Sequence, residues 1–202
     1  MTNGYLLPLA PEAHFILRDA IVRLQAAECG TVPPMAAPKK ASTKGRPSFS
    51  ASDAEAQLAG FLAKYTPAIE VFAKAVGAEM RTRLAGATEL VYDNYNALAI
   101  GYGPSERASE AIFSIAVFPR WVSLFFLQAK GLRDPEELLR GKGSVARHIV
   151  LKRPDELNLP AIRALMQQAI TIAKVQLDPK APPRLIIKSV SAKQRPRRPA
   201  KS

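Results

Sequence analysis

A glycine-rich loop beside basic residues is the first place in this sequence where chemistry could reside. Gly141-Lys142-Gly143-Ser144 stands just ahead of Arg147 and His148. A nucleotide-binding P-loop requires a glycine five residues before the Gly-Lys pair and a Ser or Thr directly after the lysine. Glu136 and Gly143 occupy those two positions, so that motif is excluded. A looser anion site survives, in which Lys142, Arg147 and His148 act together with backbone N–H groups of the loop. The competing reading is structural: the glycines make a turn and Arg147 pairs with a surface acid. A second concentration of polar and aromatic groups is Tyr92-Asp93-Asn94-Tyr95, with Trp121 further along. Small-molecule pockets set a few convergent polar groups among aromatic rings, and Tyr92, Asn94, Tyr95 and Trp121 fit that description. A hairpin turn uses the same residue types, with Asp and Asn in turn conformations and tyrosines over the sheet.

Other chemistries find little support. There is no Gly-x-Ser-x-Gly elbow for nucleophilic hydrolysis. The single cysteine, Cys29, lies outside the densely patterned region, and with only two histidines an all-protein zinc site has too few ligands. Iron prefers clustered oxygen ligands. Glu136-Glu137 and Asp155-Glu156 are isolated pairs amid bases. The expectation is therefore a protein without catalytic residues, metal or cofactor.

Of the 202 residues, 48% are hydrophobic and 23% charged, a globular composition. No run of about 18 apolar residues suggests a membrane span. The 29 Lys and Arg outnumber the 17 Asp and Glu, giving a net charge of +12. That charge is uneven: residues 51–175 are nearly neutral, whereas residues 176–202 hold eight bases against Asp178 alone. The composition, with its lone cysteine, reads as a cytoplasmic protein. The last dozen residues, with Lys193, Arg195, Arg197, Arg198 and Lys201 and an extended backbone kept by Pro196 and Pro199, read as a free basic tail suited to sequence-independent contact with a phosphate backbone.

Residues 1–51 read as a flexible leader. Phe15, Ile16, Ile21, Val22 and Leu24 suggest one helix, and Gly30 its stop, before a Pro/Lys/Ser-rich linker. Within it, Met35-Ala36-Ala37-Pro38-Lys39-Lys40 resembles an ordinary basic N-terminus, which would make 1–34 an upstream extension. Dense pattern begins at Ser52-Asp53-Ala54-Glu55, a capping box. A second helix starts at Thr66-Pro67 and stops near Gly86. Strand patterns follow over 89–92, 97–102, 112–118 and 121–127, the first pair joined at Asp93-Asn94-Tyr95-Asn96 and the second at Pro119-Arg120. Asp134-Pro135 predicts a short capped helix, Arg147-His148-Ile149-Val150-Leu151 a fifth strand, and Asn158 the cap of a last helix. Arg184-Leu185-Ile186-Ile187-Lys188-Ser189-Val190 is strand-like and too apolar to leave in solvent, so it is expected to dock on a sheet edge. The fold class is α+β: an antiparallel sheet of about five strands backed by helices, in the order α-α-β-β-β-β-α-β-α plus a C-terminal strand. The domain spans 52–190, with 191–202 as tail.

Glu89-Leu90-Val91-Tyr92-Asp93-Asn94-Tyr95-Asn96-Ala97-Leu98, Phe113-Ser114-Ile115, Pro119-Arg120-Trp121-Val122-Ser123-Leu124-Phe125, Asp134-Pro135, and Leu138-Leu139-Arg140-Gly141-Lys142-Gly143 with Arg147-His148-Ile149 follow one another in this order. Together they resemble the YdhG-like domain of unknown function. Gln128-Ala129-Lys130-Gly131 departs from the family pattern, which has a small Gly-containing turn without lysine there. The resemblance implies a small bacterial α+β domain with no established catalytic residue, and a frataxin-like iron-delivery role proposed for one branch. The reading that results is a non-enzymatic domain that binds a small ligand. The alternative is weak nucleic-acid association through the tail, and iron delivery ranks third.

Overall fold

Thr66 and Pro67 show how local signals set the architecture. In the computed structural model, which describes residues 51–198 apart from 142 and 144, helix α1 is Ala51–Leu62 and helix α2 is Pro67–Arg83. Thr66 is the N-cap of α2, its hydroxyl accepting from the Ile69 amide at 3.5 Å, and Pro67 fills the first helical position where no N–H is needed. The leader expected over 1–51 lies outside the described residues, save Ala51. Ala54, Leu58 and Leu62 of α1 and Ile69, Ala73, Val76 and Met80 of α2 are buried, the spacing of a single helical stripe.

Six strands follow: β1 Thr88–Asp93, β2 Leu98–Gly103, β3 Phe113–Val117, β4 Val122–Phe126, β5 Arg147–Leu151 and β6 Arg184–Val190. A third helix, α3, covers Pro160–Thr171 between β5 and β6. The sheet order is β5-β4-β3-β2-β1-β6. The architecture is α+β, a mixed six-stranded sheet with helices packed on one face. Alternation places Val91, Leu98, Ile100, Phe113, Ile115, Val117, Val122, Leu124, Phe126, Ile149 and Leu151 in one core with the helices. No helix among the described residues is long and apolar enough to cross a membrane.

Four expectations are corrected. First, β6 docks on the sheet edge as anticipated, but it runs parallel to β1, so the sheet is not purely antiparallel. The cause lies in the connection after α3: Asp178 passes against Gly86, just ahead of β1, so β6 enters beside Thr88 and runs the same way. Second, residues 134–139 form a turn. The Asp134 carboxylate accepts from the amides of Leu138 (3.0 Å) and Leu139 (2.7 Å), and Glu137 sits at φ 53°. Aspartate offers a turn as readily as a helix cap, and so short a segment gains too few helical bonds to offset nucleation. Third, Asn158 ends a short 3-10 segment, Pro154–Asn158, and accepts from Arg83; α3 begins two residues later at Pro160, with Leu159 at its cap. Ser52, likewise, lies within α1 instead of capping it. Fourth, residues 191–198 pack back on the fold, as described below.

Tyr65 ties the helices to the sheet. Its hydroxyl donates to the Val117 carbonyl (2.8 Å) and accepts from the Leu98 amide (2.9 Å), and burial pushes its pKa up to about 12. Tyr65→Phe leaves both backbone groups without that partner in a dry core, so it is expected to cost about 1–3 kcal/mol. Urea unfolding measures this as a lower midpoint at an unchanged slope. A midpoint equal to the parent's shows that the two bonds contribute nothing net.

Candidate functional site

One row of side chains crosses the core face of the sheet: Leu185, Glu89, Tyr102, Phe113, Phe126 and Arg147, each paired with the next across a strand boundary. Its middle is ordinary core. Phe113 and Phe126 meet edge to face at 5.4 Å. Its β1 end is not, because Glu89 puts a carboxylate where alternation with Val91 demands an apolar group.

Glu89 is 7% exposed. Arg81, from the last turn of α2, grips it at both oxygens, Nε to Oε1 at 2.5 Å and Nη2 to Oε2 at 3.1 Å. Arg81 Nη2 also meets Glu55 of α1 at 2.8 Å. Beside them stands Tyr102, 1% exposed, whose hydroxyl has no hydrogen-bond partner among the described residues. On the α2 side the neighbour is Gly77, and a Cβ built there would lie 3.9 Å from that hydroxyl. Glu55, Arg81, Glu89 and Tyr102 line a cleft of about 460 Å³. Leu84, Ala87, Pro179, Pro183 and Leu185 form its apolar walls.

The electrostatics follow from who keeps water. Burial pushes the Glu89 carboxyl above its ordinary value of 4.5, although the Arg81 hydrogen bond and charge pull the other way. Arg81 remains partly in water, and there the Glu89 hydrogen bond prevails and raises its pKa. Burial holds the Tyr102 phenol well above 10.0, with Glu89 adding to the effect. The phenol is therefore a neutral donor and acceptor.

A raised carboxyl pKa means the native state holds the proton more tightly than the unfolded chain. Stability linked to Glu89 is full below its unfolded value and is lost as pH rises through the higher folded one. Glu89→Gln cannot ionise, so its stability relative to the parent is expected to improve as pH rises from 4.5 through the higher folded value and to level off above it. Urea titrations across that range check it, and a constant or shrinking difference would show that Arg81 outweighs burial.

The residues singled out from sequence are not gathered in this cleft. Asn94 and Tyr95 lie in the β1–β2 turn, and Trp121, stacked on Phe118 at 4.9 Å, lies in the β3–β4 turn at the same end of the sheet. Tyr92 falls on the face opposite the core row; burial pushes its hydroxyl, which lacks a partner among the described residues, up to about 12. Arg147 and His148 sit at the other end, on edge strand β5. Arg147 donates to the Leu139 carbonyl at 2.6 Å, where a surface acid was expected, and His148 stacks on Phe125 at 4.8 Å. Lys142 lies outside the described residues.

The supposed free tail is largely committed to the fold. Arg197 is 4% exposed. It donates to Asp93 at 2.8 Å and to the Asn94 and Tyr95 carbonyls, with its guanidinium 5.6 Å from the Tyr65 ring centroid. Arg198 donates to the carbonyls of Tyr65 and Ala63, and Arg195 to Asn96. Lys193 is exposed, and Lys201 lies outside the described residues. Composition marks these residues as basic but says nothing of acceptors waiting on a distant turn.

Glu89, Arg81, Glu55 and Tyr102 went unselected in the sequence reading. The available signal was phase: Glu89 and Asp93 alternate with Val91 on one face of one strand. No family model matches the chain, and neither does any curated protein or solved structure.

Proposed function

We propose that this chain is a non-catalytic, YdhG-like binding domain that holds a small organic molecule in the cleft between β1, β2, the end of α2 and the segment leading into β6. The observation that carries the reading is the Tyr102 hydroxyl, buried without a partner beside a cleft large enough for a small molecule. Nearly all buried polar side-chain atoms are hydrogen-bonded, so an orphan hydroxyl calls for an explanation, and here a cleft beside it offers room for a partner. Apolar walls with a few convergent polar groups are the usual composition of ligand pockets. Arg81 and Glu89 supply the other polar groups. The binding role places no bond-making demand on these residues.

A fragment screen of the full chain by amide chemical-shift mapping tests the proposal. Binders are expected to perturb Gly86, Ala87, Glu89 and Leu185, and to weaken on Tyr102→Phe. Fragments that cluster instead at the β1–β2 turn or around β5 overturn it.

A further inference from the structure

We infer that the cleft selects a small organic amine, carried as its ammonium ion on an apolar body, which is anchored by Glu89 and Tyr102. This rests on the reading of the cleft as a ligand site. The charges that line it are Glu55, Glu89, Arg81 and Arg184. Arg184 is already paired outward with Glu106 at 2.5 Å. Two carboxylates therefore face one guanidinium, which they share.

The hydrogen-bond inventory points the same way. Each Glu89 oxygen accepts one N–H from Arg81, and a carboxylate oxygen has room for a second donor. The Tyr102 oxygen has unused lone pairs. The deep polar set is thus rich in acceptors, and an ammonium brings three donors and no acceptor. A carboxylate ligand would reach Arg81 only against the repulsion of Glu55 and Glu89. The residual charge agrees: burial keeps Glu89 above its ordinary value in spite of Arg81, so its negative charge is not fully compensated and a second cation stabilises it. Leu84, Ala87 and the rings of Pro179 and Pro183 offer an apolar wall for the hydrocarbon body.

Benzylamine, benzyl alcohol and benzoate separate the head group from the apolar body. Each is titrated into the full chain at pH 7 with amide shifts as the readout. Probes of about eight heavy atoms bind in the millimolar range at ordinary ligand efficiency. Benzylamine is expected to bind about tenfold more tightly than benzyl alcohol, with benzoate weakest, because its bonds to Glu89 are charge-assisted. Glu89→Gln is expected to remove that tenfold preference and leave benzyl alcohol nearly unchanged. Should Glu89→Gln fail to fold, Glu55→Gln at the mouth is expected to reduce the preference about threefold. A cleft that prefers benzoate, or treats all three alike, overturns the amine assignment and leaves the ligand site standing. Probes that shift only residues elsewhere, or none up to about 20 mM, overturn the site as well.

Discussion

Asp93→Ala is expected to destabilise the fold by about 3–5 kcal/mol, because it strands a buried guanidinium. Asp93 is 1% exposed and lies between two cations, Arg197 at 2.8 Å and Lys64 at 2.7 Å. Lys64 can turn to water, since its side chain is 39% exposed. Arg197 cannot: its side chain is 2% exposed, and its Nε already lacks a partner among the described residues. Without the carboxylate it must stay buried with carbonyl acceptors only, or leave and carry residues 191–198 with it. Either route costs stability, and the second also frees the Arg195 amide from Tyr95 and the Ser191 amide from Asp93. The double variant Asp93→Ala with Arg197→Met is expected to be more stable than Asp93→Ala alone, because no unpaired charge remains. Urea unfolding of the four-member cycle measures the coupling. A single variant within about 0.5 kcal/mol of the parent would mean that the pair does not hold the C-terminal segment.

The same pair shows where sequence reading succeeds and where it stops. The core strands are legible because their signals are local: β-branched and aromatic runs, broken by Asp93-Asn94-Tyr95-Asn96 and Pro119-Arg120, can only alternate across a hairpin. Thr66-Pro67 is legible for the same reason, since its cap contact spans three residues. The direction of β6 is not, because a strand's composition is the same read either way. It is set by Asp178 meeting Gly86, 92 residues apart in sequence. Arg197 lies 104 residues from Asp93, and its neighbours Pro196, Arg198 and Pro199 carry every mark of a solvated tail. The reading of 134–139 as helix fails at the opposite scale, where two local structures compete for one aspartate side chain. For the cleft, half the evidence is visible beforehand. An acid in phase with Val91 announces a buried carboxylate, but which helix supplies its arginine is a tertiary fact.

Gly86→Ala is expected to cost about 2–4 kcal/mol and to loosen β6 more than the rest of the sheet. Gly86 has φ 77°, a conformation that L side chains adopt at a penalty. The larger effect is steric: a Cβ there overlaps the Asp178 carbonyl oxygen and lies 2.9 Å from its carbon, and backbone on both sides leaves no flexible side chain to yield. The segment at 178–179 must therefore move. It is the hinge that brings β6 alongside Thr88 and sets the proline wall of the cleft. Hydrogen exchange separates this local effect from a global one. Amides of β6 are expected to lose protection beyond the drop shared by β3 and β4, which lie in the middle of the sheet. Gly60→Ala is the control. Gly60 sits within α1 with nothing within 4 Å of a built Cβ. The same added methyl is expected to stabilise there by about 0.5–1 kcal/mol, because glycine gives up more chain entropy than alanine in a helix. If both substitutions shift the unfolding midpoint alike, the close approach of Asp178 to Gly86 does not govern how β6 is seated. If Gly86→Ala lowers the midpoint but β6 loses no more protection than β3 and β4, the strain spreads through the whole core and β6 is not the element it loosens.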